Sequence, residues 1–573
     1  METLNSLSNP WNVPLSVPNR RQLFGILASL GVGSTVFQRA LATQAEQAGV
    51  VTPEMIQQAE WIAGLKLTDD ERKTLAGSFT KTVRDFEALR AVALPNHVPP
   101  ALHFNPAPGQ QPFAGPRGHV EPTTDAAPRK PDKDDELAFL PLTSLAALVR
   151  KRELSSVTLT KLYLERLKKY DPLLLCVVSL TEELALKQAE QADKEIAAGR
   201  YRGYLHGIPW GAKDLIAYPG YKTTWGAGPF KDRTLDVKAT VARRLEEAGA
   251  VLAAKTTLGA LAMGDRWFGG KTLNPWNPKQ GSSGSSAGSA SAVAAGLIGF
   301  ALGSETRGSI VSPCSRCGAT GLRPTFGRVS RHGCMTLAWS MDKIGPIARS
   351  VEDCALVFGA IHGADGLDAS AVDRSFTWPS SRNLRDLHVG YFDTIGDKER
   401  EDLKLLKGLG VRLVPVKLPN NLPVSALDLI LDVEAAAAFD DLARQGVKEG
   451  IGTWPRVFQR ANFIPAVEYV RAQRVRTLLM QEMDRLMSEV DLYVGGNDLQ
   501  ITNLTGHPTV VLPNGFRKES ALEVPTAITF TGRLFGESEL LAVAHAYQLA
   551  TDRHLKRPPM DKVTKENLLE PKP

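Results

Sequence analysis

The chain has 573 residues, 43% of them hydrophobic, which is enough for a large core and, by length alone, for several domains. Its 68 basic and 62 acidic residues leave a net charge of +6, with no basic run interleaved with aromatics, so nucleic-acid binding is not implied. Five cysteines, Cys176, Cys314, Cys317, Cys334 and Cys354, are too sparse and odd in number for a disulfide framework. Cys314-x-x-Cys317 has no second Cys/His pair at zinc spacing, so small buried thiols are expected and no metal site.

Residues 1–42 carry Arg20-Arg21-Gln22-Leu23-Phe24, an apolar run to Phe37, and Ala40-Leu41-Ala42. Twin arginines, a modest apolar region and an A-x-A site together resemble a Tat export signal, which predicts a periplasmic or extracellular protein. The apolar run is about 15 residues, too short for a stable membrane span. The alternative is an amphipathic helix that stays on a cytoplasmic protein.

Residues 43–98 read as a helical extension. Thr52-Pro53 opens one helix, with proline at a tolerated first position, and Gly64 ends it. Thr68-x-x-Glu71 is a capping box. Leu75, Phe79, Val83, Phe86 and Leu89 then recur every three to four residues and mark one apolar helix face, expected to pack on the main domain. Residues 99–136 form a connector: ten prolines stand between Pro95 and Pro131, a density that excludes regular elements.

A main domain is expected over 137–573. Leu145, Leu148, Val149, Leu159, Leu162, Tyr163 and Leu167 keep helical periodicity. A helix over 239–248 ends at Gly249 and leads into a strand at Ala250 to Ala254. Further strands read at His388 to Phe392, Leu492 to Val494 and Thr509 to Leu512. Residues 425–490 read as largely helical. Helices alternating with short apolar strands predict an α/β layered fold.

Two stretches carry the chemistry. Ser283 to Pro313 opens on a Gly/Ser cluster, which lets backbone amides approach a ligand closely. A flexible linker is the bland reading of such a composition. Val293, Leu297, Ile298, Phe300 and Leu302 are too apolar for one. Upstream, Leu205 to Ile216 places Lys213 in a mostly apolar segment. A surface lysine paired with Asp214 is the ordinary expectation. A desolvated lysine instead loses its charge easily and serves as a base. A serine on a glycine turn beside such a base suggests serine nucleophilic catalysis.

At these residues the sequence resembles the amidase signature hydrolases, which use a Ser-cisSer-Lys triad. Their second serine follows the first of the serine pair by 24 residues, and Ser285, in Gly284-Ser285-Ser286-Ala287-Gly288, lies that far before Ser309. A register through Ser282-Ser283 misses the spacing. Gly207-Ile208-Pro209 with Lys213-Asp214 matches the family's lysine segment. Thr223-Thr224-Trp225-Gly226, Gly249-Ala250-Val251 to Lys255-Thr256, Gly321-Leu322-Arg323-Pro324-Thr325, Gly345-Pro346, Asn503 to Pro508 and Gly532 to Phe535 follow in the family's order. The likeness runs over roughly residues 137 to 560, and the ordered set is far more specific than any one motif.

The resemblance implies a mixed central sheet flanked by helices on both faces. It implies a cofactor-free hydrolase acting on the C–N bond of a small-molecule amide through an acyl-enzyme. Ser309 would be the nucleophile, Ser285 the proton relay and Lys213 the base, with Thr306, Arg307 and Gly308 as oxyanion donors. Region 425–490 would wall the cleft. Three departures stand out. Arg307 occupies a family glycine position, so its backbone donates only if arginine suits the turn. Val311 replaces the usual arginine. Thr257-Leu258-Gly259-Ala260 lacks the usual Asp-Glu pair, so a more apolar site is expected. Trp210, Trp225, Trp267 and Met263 would line an acyl pocket or belong to the core. His206, His332 and His507 lie near the motifs but have no aspartate partner, and are read as structural. Two alternatives remain: the glutaminase subunit of a tRNA-dependent amidotransferase, which the export signal and N-terminal extension argue against, and an impaired amidase-fold binding protein, motivated by Arg307. Oligomeric state stays open, with a homodimer as one option.

Overall fold

The computed structural model describes residues 50–92, 102, 118–124, 128–393, 400–496, 498–519 and 522–560. The Tat-like segment and most of the proline-rich connector lie outside the described residues. Two compact units are present, divided after Glu87.

In the first unit, α1 (Pro53–Ala63) begins where Thr52 accepts the Met55 N–H and ends at Gly64, φ 66°. The left-handed turn there suits glycine, which has no Cβ to clash. Thr68 and Glu71 cap α2 (Asp69–Ala91) reciprocally. Arg72 bridges the two helices through Glu60 at 2.7 Å. Of the predicted apolar face, Leu75, Phe79, Phe86 and Leu89 are buried.

The second unit is built on one sheet. Its strands are β1 (Val177–Leu180), β2 (Pro209–Lys213), β3 (Val251–Thr256), β4 (Phe300–Glu305), β5 (Thr320–Arg323), β6 (Lys343–Ala348), β7 (His388–Tyr391), β8 (Arg412–Pro415), β9 (Leu492–Val494), β10 (Thr509–Glu519) and β11 (Leu522–Gly532). The spatial order is β1-β3-β2-β4-β6-β5-β10-β11-β9-β7-β8. Pairing is mixed: β2 runs parallel to β3 and β4, whereas β6 is antiparallel to β4 and β5. The expected mixed α/β sheet is therefore present, and the predicted strands at 250, 388, 492 and 509 fall on β3, β7, β9 and β10.

The central strands are buried along their whole length, including all of β2, β3 and β6. Strands covered on both faces read as continuous apolar runs rather than alternating ones, as Val251-Leu252-Ala253-Ala254 does. The Gly/Ser-rich stretch is no linker. It holds α3 (Ala287–Ala294), all eight of whose residues are buried. Alanine, serine and glycine let that helix pass close to its neighbours. After β4 a tight turn enters α4 (Val311–Cys317), ended by Gly318. Among the described residues no helix is long and apolar enough to cross a membrane.

The strand ends define where chemistry can sit. Lys213 closes β2 and Glu305 closes β4. Lys343, which opens β6, pairs with Glu305 across the ladder, and Thr509, which opens β10, pairs with Arg323 at the end of β5. These ends lie along one edge of the sheet.

Candidate active site

Lys213 is wholly buried. Its ordinary alternative partner, Asp214, is taken elsewhere: that carboxylate accepts from Lys255 Nζ at 2.7 Å and from the Thr224 side chain. Lys213 Nζ instead meets Ser285 Oγ at 2.8 Å, Ser286 Oγ at 3.0 Å, Ser304 Oγ at 2.9 Å and the Ser304 carbonyl at 3.2 Å. Burial lowers its pKa to about 7, against the pull of Asp342 and Glu305, which favour the charged form.

Ser286 Oγ donates to the Ser304 carbonyl at 3.1 Å, so it accepts from Lys213 Nζ, and the same amine lies within hydrogen-bond reach of the Ser285 and Ser304 hydroxyls.

The peptide Gly284–Ser285 is cis. A Cβ at Gly284 would lie 1.9 Å from the carbonyl oxygen of Gly264, so no other residue fits. Ser309 is half-buried on the turn after β4. Its carbonyl accepts the Ser286 N–H at 3.0 Å, which ties the Ser309 turn to the serine loop.

Gly308 takes the left-handed conformation of that turn, φ +111°, and Arg307 does not. The arginine backbone is therefore in ordinary territory and its N–H remains a usable donor. Its side chain leads away to Asp428, at 2.5 Å, on α5 (Asp428–Ala438). Thr306 Oγ1 donates to Asp342 Oδ1 at 2.6 Å.

Sequence reading missed Glu305. Its carboxylate is fully buried and accepts the N–H groups of Ile310 and Val311 at 2.8 and 2.9 Å, just after Ser309. Arg323 and Asn503 donate to its other oxygen, both at 2.8 Å. Burial pushes this carboxyl up, but Arg323 and the N–H donors win and hold it below its ordinary value. Ser286, Ser304 and Asp342 were also missed. Charged residues inside apolar strand ends, as at Glu305, were the available signal.

Other expectations divide. The Thr257 to Ala260 stretch is buried and carries no charge, as expected, but the surroundings of Lys213 are hydroxyl-rich rather than apolar. Trp210 is core, stacked on Phe300. Met263 is partly exposed, at 37%. His206 is buried beside Glu195, and His507, whose pKa burial lowers to about 3, contacts Thr505. All five cysteines are free thiols; four are buried and Cys334 is half-buried.

Comparisons with known proteins agree on one family. The Amidase family model matches residues 158–495. Curated relatives include a glutamyl-tRNA(Gln) amidotransferase subunit from a Marinomonas species, 33% identical over 484 residues, 74% of this chain and 99% of the relative. The protein of the same name from Chromohalobacter salexigens is 34% identical over 486 residues, 74% of this chain and 98% of the relative. Among solved structures, the peptide amidase of Stenotrophomonas maltophilia has a TM-score of 0.63 at 30% identity, over 73% of this chain and 98% of that one. An amidase family protein of Bacillus anthracis has a TM-score of 0.66 at 25% identity, over 74% and 93% of the two chains.

Proposed function

This chain belongs to the amidase signature family and hydrolyses C–N bonds of amides, and we propose that it does so with Ser309 as nucleophile, Ser285 as relay and Lys213 as base. The observation that carries the assignment is the wholly buried amine of Lys213, its pKa lowered by burial to about 7, standing 2.8 Å from Ser285 Oγ.

As Ser309 Oγ attacks the amide carbon, its proton passes to Ser285 while the Ser285 proton passes to Lys213. The tetrahedral oxyanion takes hydrogen bonds from backbone N–H groups of Thr306, Arg307 and Gly308. The proton then returns through Ser285 to the leaving nitrogen, the C–N bond breaks, and an acyl-Ser309 ester remains. Water, deprotonated by the same relay, releases the acid. The base and one oxyanion donor are each expected to supply on the order of 10²–10³-fold in rate.

A fluorophosphonate tests the assignment. The expected product is a mass adduct on Ser309 of the full chain, absent in Lys213→Met. Labelling that survives in Ser309→Ala, or none at all, overturns it. The names of the curated relatives favour a second reading, a component of an amidotransferase. Co-purification with a second protein chain, or hydrolysis restricted to glutamine, would select it over a free-standing amidase.

A further inference from the structure

A cavity of about 890 Å³ opens at the same sheet edge as the catalytic turn. Its walls include Phe326 past β5, Gly506 before β10 and Phe535 past β11, with Glu434 and Met480 from the region 425–490. One short helix joins it to the chemistry. The helix α6 (Leu499–Thr505) starts against the turn, where a Cβ at Gly308 would lie 3.2 Å from Leu499 Cδ1, and its Asn503 holds Glu305. Its last residues, Leu504 and Thr505, line the cavity. At about 1.5 Å of rise per residue, the helix carries the path about 10 Å from the turn.

On the amidase reading, stereochemistry sends the acyl part of the substrate along this path. The tetrahedral carbon carries Ser309 Oγ, the oxyanion, the leaving nitrogen and the acyl substituent. The nitrogen recovers its proton from Ser285, so it faces the Lys213 side of the site, toward β2. The oxyanion faces the N–H groups of the turn. The acyl substituent is left pointing away from Ser285. In the order β2-β4-β6-β5-β10-β11, the strands that carry Phe326, Gly506 and Phe535 lie across β4 from Lys213.

We infer that the substrate is an amide of a long, uncharged, apolar acyl group, and that Leu102 and Leu367 are specificity-determining residues on the rim of the cavity that receives it. The rim exposes Leu102 at 49%, Trp339 at 49% and Leu367 at 60%. Large apolar side chains converging on one opening mark a surface for an apolar ligand. The polar part of the lining is already paired. Arg331 meets Asp368 at 2.9 Å, and Glu434 and Arg476 both bind Ser340, at 2.6 and 2.7 Å. Among the described lining residues, the ammonium and carboxylate of free glutamine meet no unpaired counter-charge, which separates this substrate class from the glutaminase reading. Leu102 precedes residues 158–495, the span of the family model, so part of the rim comes from outside the family region.

The test is kcat/KM of the full chain on the 4-nitroanilides of acetic, butanoic, hexanoic and octanoic acids. A fully buried methylene is worth about fourfold, so a rise of about 100-fold or more is expected from acetyl to octanoyl. The 6-aminohexanoyl anilide, with a charged arm, should fall about tenfold or more below the hexanoyl one. The octanoyl-to-acetyl ratio should drop about threefold or more in Leu102→Asp and about tenfold in Leu367→Glu. Misfolding would lower both rates and leave that ratio alone. A flat acyl series, a charged arm accepted as well as the hexanoyl one, or glutamine hydrolysed faster than the octanoyl anilide overturns the substrate class. A ratio unmoved by Leu102→Asp or by Leu367→Glu overturns the role of that residue. No turnover of any amide and no fluorophosphonate adduct would instead sink the amidase reading. Calorimetry of octanamide with Ser309→Ala then still decides the cavity: binding weakened about tenfold by Leu367→Glu supports it, and no binding overturns it.

Discussion

Exchanging Lys213 for methionine removes the amine and keeps an unbranched side chain of similar length. Burial brings the wild-type amine from 10.5 to about 7. That difference corresponds to about 5 kcal/mol of preference for the neutral form, at about 1.4 kcal/mol per pH unit. The sign follows from proton counting. The unfolded chain keeps this lysine protonated up to pH 10.5, whereas the folded chain releases the proton above about 7. Between those values the unfolded state binds more protons, so wild-type stability rises with pH by up to about 1.4 kcal/mol per pH unit. Below 7 both states hold the proton and the burial cost is fully present. Methionine abolishes that slope. It also leaves three serine hydroxyls short of a partner, a pH-independent loss of about 1–3 kcal/mol, so the slope and not the offset is diagnostic. Urea unfolding of both proteins from pH 6 to 10 measures it. The rate profile gives the second readout: wild-type kcat/KM should fall about tenfold per pH unit below 7, and at pH 8 the variant should lose about 10²–10³-fold. Parallel stability curves together with a rate that stays flat from pH 8 to 5.5 would refute a neutral lysine base.

Glu305→Gln leaves the Arg323 guanidinium buried without its charge partner, and thermal unfolding should show a loss of about 3–5 kcal/mol. The turnover number should drop with it, because the carboxylate also holds the N–H groups that follow Ser309; an unchanged melting temperature contradicts this account. Arg307→Ala removes a part-exposed pair with Asp428 worth about 0–1 kcal/mol, and kcat/KM should stay within about threefold if only the backbone N–H serves the oxyanion. A fall of about 100-fold or more would assign the guanidinium to the site instead.

Local features were legible in the residues. Thr52, Gly64 and the Thr68–Glu71 box determine where α1 and α2 start and stop, because capping is satisfied within one turn of chain. Continuous apolar runs marked β3 and β10, and the ordered motifs pointed to Lys213, Ser285 and Ser309. Tertiary structure decided what pattern could not. Asp214, adjacent to Lys213 in sequence, belongs to Lys255 on the neighbouring strand. Glu305 finds its counter-ion 18 residues on, in Arg323, through the sheet order β4-β6-β5. Arg307 turns out to Asp428, and Gly308 rather than Arg307 takes the left-handed conformation. Most of all, burial lowers the pKa of the Lys213 amine to about 7, and it is met by serines from the loop before α3 and from strand β4. A string of residues specifies which groups are present. Desolvation and hydrogen-bond direction depend on what the rest of the fold packs around them, and only the assembled sheet edge settles both.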